Sequence, residues 1–232
     1  MQNNQAERIG IIGAMVIETE GLLAEMENKQ ERTISGVTFT EGTLCGKDVV
    51  VATCGVGKVF AAICAEAMIL SFGVTALLNT GVAGGLHPML EVGDISLADK
   101  VVQHDMNTTA IGDPRGLLSG INVVEIETDK RLLKALCRAT ADLDHNALVG
   151  TIASGDLFVA EQKTKDKITA EFDAIACEME GAAIGHVAYV NKVPFAVLRS
   201  ISDGGDGMEF SEFCPLAAKN SVAITKAFLQ NL

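Results

Sequence analysis

The stretch AIACEMEGAAIGHVAYV, Ala174–Val190, changes character in its middle. Ala174–Glu178 is a short apolar run of the kind that forms a buried strand, and Gly181–Val190 is a run of small and apolar residues that reads as a helix. Glu178 and Glu180 stand at the junction, on either side of Met179. A buried strand that ends in two acids and turns at once into a helix needs a use for them.

The same alternation runs outward in both directions. Upstream, strands are expected at Arg8–Gly13, Val37–Leu44, Val49–Thr53, Ala76–Thr80, Asp94–Val102 and Val149–Ala153. Helices are expected at Glu18–Glu27, Lys58–Ser71, Asp129–Leu143 and Glu161–Phe172. Downstream come a strand at Phe195–Ser202 and a closing helix at Phe213–Leu232. Strands that alternate with helices define the α/β class. The expectation is one domain over residues 1–232, with a central mixed, mostly parallel twisted sheet flanked by helices. Gly46-Lys47-Asp48 reads as the turn of an early antiparallel hairpin, and residues 1–7 as a flexible N-terminal extension. Residues 105–121 form the longest stretch without periodicity, a length that marks a functional loop or an interface element.

Composition narrows the function. A chain of 232 residues that is 48% hydrophobic can bury a sizeable core. No run of 18 apolar residues is present to span a bilayer, and the N-terminal MQNNQAER lacks a basic-then-apolar leader, which predicts a cytoplasmic protein with no membrane partner. The net charge of −12, with no Trp and one Tyr, provides neither a phosphate-tracking stripe nor a base-stacking platform, so nucleic acid is not an expected partner. The six cysteines and four histidines show no C-x-x-C or H-x-x-x-H spacing, and neither a metal nor a cofactor is expected.

Ligands of open α/β sheets bind beyond the carboxyl ends of the strands. Here those ends carry Ala14, Met15 and Glu18; Gly81–Gly85; Ser154-Gly155-Asp156; Glu178-Met179-Glu180; and Asp203. Singly, each acid has an ordinary reading as a helix cap or a turn residue. Gathered at one sheet edge they would repel one another, and together they favour a site. The glycine turns are weaker signals. In GVGKVF (Gly55–Phe60) the Walker pattern fails at Ala52 and Val59, and Phe60 stands where a dinucleotide fingerprint needs its third Gly.

Seven stretches together resemble the nucleoside phosphorylase and hydrolase superfamily, and more closely the bacterial 5′-methylthioadenosine/S-adenosylhomocysteine nucleosidases. They are IGIIGAM (9–15) with Glu18, GVGKV (55–59), NTGVAGGL (79–86), VGDI (92–95), SGD-x-F (154–158), CEMEGAAI (177–184) and RSISD (199–203). The resemblance implies a nucleoside phosphorylase-like fold and hydrolysis of the N-glycosidic bond of an adenine nucleoside. It implies that Asp203 protonates the departing purine at N7 and that Glu18 activates the attacking water. Glu180 would grip the ribose hydroxyls, and Glu178 and the Met179 backbone would lie beside the sugar; at the junction itself Glu178 reads as the support of Glu180. Phe158 would stack on adenine, and the Val159 backbone would read its edge. Met15, Val56, Met179 and Phe210 would line the sugar and 5′-alkylthio pocket, with Val82 and Ser202 alongside and Arg199 behind, near Asp203.

The chemistry is consistent with such a set. An oxocarbenium-like sugar is stabilised by fixed negative charge, and one carboxyl must give a proton while another takes one. Two departures from the family pattern stand out. Val82 replaces a Ser found in many relatives, and phosphorolytic members use a Ser there with Arg residues to hold phosphate. The first turn of this chain offers Met15, Val16 and Ile17, which makes water the expected nucleophile. The 105–121 loop carries GDPRG where relatives often have aromatic residues. In the family this region reaches across a homodimer to the partner's 5′ pocket, with Thr108 and Ile111 as the residues expected to do so. The alternatives are a phosphate-dependent purine nucleoside phosphorylase, a 6-amino-6-deoxyfutalosine hydrolase, and a nucleoside-binding sensor without activity.

Overall fold

The structure, a computed structural model, describes residues 7–141, 145–204 and 207–232. The expected extension at 1–7 lies outside the described residues except for Glu7, which pairs with Arg131.

Strand β1 (Arg8–Gly13) is the spine. It runs parallel to β4 (Lys47–Thr53) on one side and to β5 (Ala76–Gly85) on the other. Flanked by strands and covered on both faces, β1 is apolar after its first residue, Arg8. Ile9 and Ile11 face a core completed by Leu22 of α1 (Val16–Glu25) and by Ile224 and Phe228 of α6 (Gly207–Asn231). Ile12 faces the opposite core, with Ala61, Cys64 and Met68 of α2 (Lys58–Phe72) and Ile184 of α5 (Gly181–Asn191).

On its outer side the sheet continues from β4 to β3 (Val37–Leu44) and β2 (Glu27–Ile34), both antiparallel. β2, ENKQERTI, is exposed over almost its whole length. A helix to Glu27 was expected; instead α1 stops at Glu25, and a polar edge strand follows. It has no apolar alternation to announce it, and its charges suit an edge that must not pair with another chain. Its hairpin turns on Ser35-Gly36, both at positive φ (51° and 80°), the left-handed pair that two-residue hairpins demand.

On the inner side the strands close on themselves. β5 pairs with β10 (Phe195–Asp203), β10 with β6 (Ile95–Gln103), β6 with β8 (Ala147–Ser154), β8 with β9 (Ala174–Glu178), and β9 returns to β5. The mixed sheet is thus parallel through β4, β1, β5 and β10 and through β6, β8 and β9, with antiparallel joints where the ring closes. A short β7 (Glu125–Glu127) adds to β6. Helices α3 (Lys130–Ala139) and α4 (Gln162–Phe172) complete the flanking layers.

β5 extends past Thr80 to Gly85 because both β10 and β9 pair with its glycine-rich end. The β9 contact is only two residue pairs long, Gly84↔Cys177 and Gly85↔Ala176. That brief meeting brings the carboxyl ends of β5 and β9 together, beside those of β1, β8 and β10.

Candidate active site

Glu18 sits in the first turn of α1 and is buried. Its Oε2 accepts from the N–H groups of Ala14 (2.7 Å) and Met15 (2.8 Å), and its Oε1 accepts from Val82 N–H (3.0 Å). The helix-cap reading holds, and the same carboxylate also lines the site's cavity. The carboxylate satisfies orphan donors at the helix start, and those donors pin it at the junction of β1 and β5. Val82 takes part through its backbone, which is unaffected by the absence of a hydroxyl. Gly81 is the reason for the glycine run: a Cβ there would run into Glu18 Oε1 and Arg199 Nη1.

The junction that opened the sequence analysis resolves into two different carboxylates. The helix begins at Gly181, so Glu180 is its N-cap residue and the two acids diverge. Glu178 turns inward. Its Oε2 accepts from the N–H of Glu180 (2.9 Å) and Gly181 (2.8 Å) and pairs with Arg199 Nη2, while its Oε1 pairs with Ser154 Oγ. Glu180 keeps more freedom. Its Oε1 accepts from Gly57 N–H at 2.9 Å, and its Oε2 lies 3.4 Å from Arg199 Nη2.

Arg199 is 1% exposed. It was expected near Asp203, but three residues of strand lie between them, about 13 Å from Cα to Cα along β10. Its guanidinium instead reaches Glu178, Glu180, Asn79 Oδ1 and Val82 O. Burial pushes the guanidinium pKa down, but Glu178, Glu180 and Glu18 more than offset this and hold it above its ordinary value. Asp203 ends β10, where its Oδ2 accepts from Ser202 Oγ at 2.7 Å. Asp156 does not join the acids. It caps α2 from outside, accepting from Lys58 N–H at 2.8 Å.

These elements enclose a cavity of about 260 Å³. Glu18, Glu178, Glu180 and Asp203 line it, with Met15, Val56, Val82, Phe158, Val159, Met179, Ser202 and Phe210. Phe158 meets Phe210 edge-on, with centroids 5.6 Å apart, so the two rings form one wall. Arg199 lies behind the cavity wall. Thr108 and Ile111 flank or form a single 3₁₀ turn, Thr109–Ile111, and line no part of the cavity of their own chain; Ile111 is 80% exposed.

A family model described as the phosphorylase superfamily matches residues 8–230. The 5′-methylthioadenosine/S-adenosylhomocysteine nucleosidase of Actinobacillus succinogenes is 38% identical over 229 residues, 97% of this chain and 99% of that one. The chain belongs to the phosphorylase superfamily, among its 5′-methylthioadenosine/S-adenosylhomocysteine nucleosidases. A solved nucleosidase of this name from Neisseria meningitidis, in complex with methylthio-immucillin-A, superposes with a TM-score of 0.94 at 33% identity, covering 97% of this chain and all of the other. The futalosine hydrolase of Helicobacter pylori superposes with a TM-score of 0.93 at 35% identity, over 98% and 99% of the two chains.

In this nucleosidase-family site four carboxylates line the cavity, and Arg199 pairs with two of them, Glu178 and Glu180. Burial, with the charges of Glu178 and Glu18, raises the Glu180 carboxyl to about 7, despite the opposing effects of Arg199 and the Gly57 N–H. The nearby thiols stay protonated. Burial, reinforced by neighbouring carboxylates, lifts Cys54 and Cys177 to about 12 and Cys214 to about 11.

Sequence reasoning missed Asn79, Ser154 and the Gly57 N–H as parts of the site. Asn79 holds Arg199 and donates to Ile12 O (2.9 Å), and Ser154 Oγ accepts from Ala182 N–H (2.7 Å) while pairing with Glu178. All three stand inside quoted motifs, but none carries charge, so nothing in the sequence separated them from turn and core residues.

Proposed function

We propose that this chain hydrolyses the N-glycosidic bond of 5′-methylthioadenosine and S-adenosylhomocysteine, and of 5′-deoxyadenosine, in the cytoplasm. The products are adenine and the 5′-substituted ribose, as methionine salvage and the recycling of S-adenosylmethionine by-products require. The observation that carries this reading is the convergence of Glu18, Glu180 and Asp203 on one apolar-walled cavity.

A sugar that becomes cationic at C1′ is stabilised by fixed carboxylates, and the gain is largest in the transition state. Glu18 keeps lone-pair capacity on Oε1, which accepts one backbone N–H against two on Oε2. Oε1 orients a water toward C1′ and takes its proton. The C1′–N9 bond breaks as the C1′–O bond forms, and Asp203 places a proton on N7 so that adenine leaves neutral. Glu180 holds the ribose hydroxyls. Phe158 stacks on the base, the Val159 backbone reads its edge, and Met15, Val56, Met179 and Phe210 pack against the sugar and the 5′ substituent.

Water is favoured over phosphate because no Lys or Arg lines the cavity among the described residues, and Arg199 is already committed to Glu178 and Glu180. The futalosine hydrolase neighbour shares the fold to the same degree, so the 5′ group is the point on which the two readings separate. We assign that selection to a homodimer in which the 105–121 loop, through Thr108 and Ile111, covers the partner's 5′ pocket. Exposure of Ile111 supports this. Incubation with a panel of 5′-substituted adenosines, with and without phosphate, tests the proposal. Adenine release without phosphate, fastest for the thioether substrates, is expected; release that strictly requires phosphate overturns it.

A further inference from the structure

Lys58, Asp105 and Asp156 take no part in the chemistry above, yet they bond to one another across three separate segments. Lys58 Nζ lies 2.7 Å from Asp105 Oδ1 and 3.3 Å from Gln103 Oε1. Asp105 Oδ2 accepts from Asp156 N–H at 2.9 Å, and Asp156 Oδ1 accepts from Lys58 N–H at 2.8 Å, closing a ring. Inside that ring is Gly57, whose N–H donates to Glu180. Gly57 has φ 103°, a conformation that favours glycine, and a Cβ there would come within 3.1 Å of Asp156 Oδ1.

We propose that Lys58, Asp105 and Asp156 form a latch that positions Glu180 on the ribose, acting through the Gly57 N–H. The latch ties the start of α2, the end of β6 and the loop after β8 into one body. That body presents the Gly57 N–H to Glu180 and the Lys58 N–H to Asp156. The β8 loop continues directly into Phe158 and Val159 of the cavity wall, and its Gly155 N–H is held by Glu178 O at 3.1 Å. Burial alone would raise the Asp105 carboxyl. Hydrogen bonds from the Lys58 ammonium and the Asp156 N–H, with the charge on Lys58, hold it below its ordinary value instead. An ion pair with its partners 18% and 30% exposed is worth little by itself. What distinguishes this one is that Asp105 also accepts from the Asp156 N–H, while Asp156 in turn accepts from the Lys58 N–H.

The inference rests on the assignment of Glu180 to the ribose hydroxyls, and its test separates the two. The kcat/KM values of 5′-methylthioadenosine and of its 2′,3′-dideoxy analogue are measured for the parent protein and for E180Q, K58M, D105N and K58R. Intrinsic differences between the substrates cancel when each preference is compared with that of the parent. E180Q is expected to lose most of the preference for the hydroxylated substrate. K58M and D105N are expected to lose about tenfold of it, the worth of one hydrogen bond, and K58R to restore it. Equal losses on both substrates for K58M would show a merely structural ion pair and overturn the latch. An unchanged preference in E180Q would overturn the role of Glu180 itself.

Discussion

Glu180→Gln should make the unliganded protein relatively more stable as the pH rises, while removing its activity. The buried carboxyl has its pKa raised from 4.5 to about 7. The protonated form is therefore the one the fold prefers. Its stabilising contribution is fully present below pH 4.5 and is lost as the pH climbs through 7. At about 1.4 kcal/mol per pH unit, the charged form costs the fold about 3 kcal/mol by pH 8 and under about 1 kcal/mol at pH 5. The amide has no such titration. It keeps an acceptor for the Gly57 N–H but presents N–H groups to Arg199, a loss of about 1–3 kcal/mol that does not change with pH. The slope therefore decides. Urea unfolding of parent and variant at pH 5, 6, 7 and 8 should show the variant gaining about 2–3 kcal/mol on the parent across that range. A flat difference, or one that moves the opposite way, would show that Glu180 is comfortably ionised in the empty site and would refute the reasoning.

Asp203→Asn should lower kcat by about 10²–10⁴ while changing nucleoside affinity only a few-fold, because the amide still accepts from Ser202 Oγ but has no proton to deliver; steady-state kinetics with equilibrium binding separate the two effects. Glu18→Gln should cost a similar factor in kcat. It should also cost about 1–3 kcal/mol of stability by urea unfolding, because its NH₂ must face at least one of the N–H donors of Ala14, Met15 and Val82. Gly81→Ala should destabilise by about 1–3 kcal/mol and lower kcat, because the new methyl displaces Glu18 or Arg199; an active variant with unchanged melting would contradict the packing. At pH 8 a thiol reagent should modify exposed Cys137 first, although burial raises its thiol too, whereas Cys54, buried and raised to about 12, should react only on unfolding.

How much of this could be read from the chain depended on whether a residue advertises its burial. The runs Ile9–Ile12, Val49–Ala52, Ala174–Cys177 and Phe195–Leu198 are apolar because they are buried, so they stood out. β2 is exposed on its edge and carries ENKQERTI, a composition without strand periodicity; only Ser35-Gly36 marked its hairpin. The site divided along similar lines. Glu18, Glu180 and Asp203 were legible as charges at strand ends, where a charge needs a reason. Arg199 was misplaced because sequence proximity to Asp203 says nothing about which way a long side chain reaches past a strand. Asp156 looked like a fifth acid of the cluster, yet it caps a helix that is distant in sequence, a contact that only the tertiary fold creates. The ring closure through β9 left no trace in local pattern, since a two-pair ladder imposes no periodicity.

In the proposed mechanism water, activated by Glu18 and drawn to a cationic sugar held by Glu180, is the nucleophile. Turnover of 5′-methylthioadenosine in ¹⁸O-labelled water, in buffer containing phosphate, tests this most directly by mass spectrometry of the sugar quenched within the first turnovers. One ¹⁸O at C1′ of free 5-methylthioribose is expected, at a rate independent of phosphate. A sugar 1-phosphate carrying no label would contradict the account.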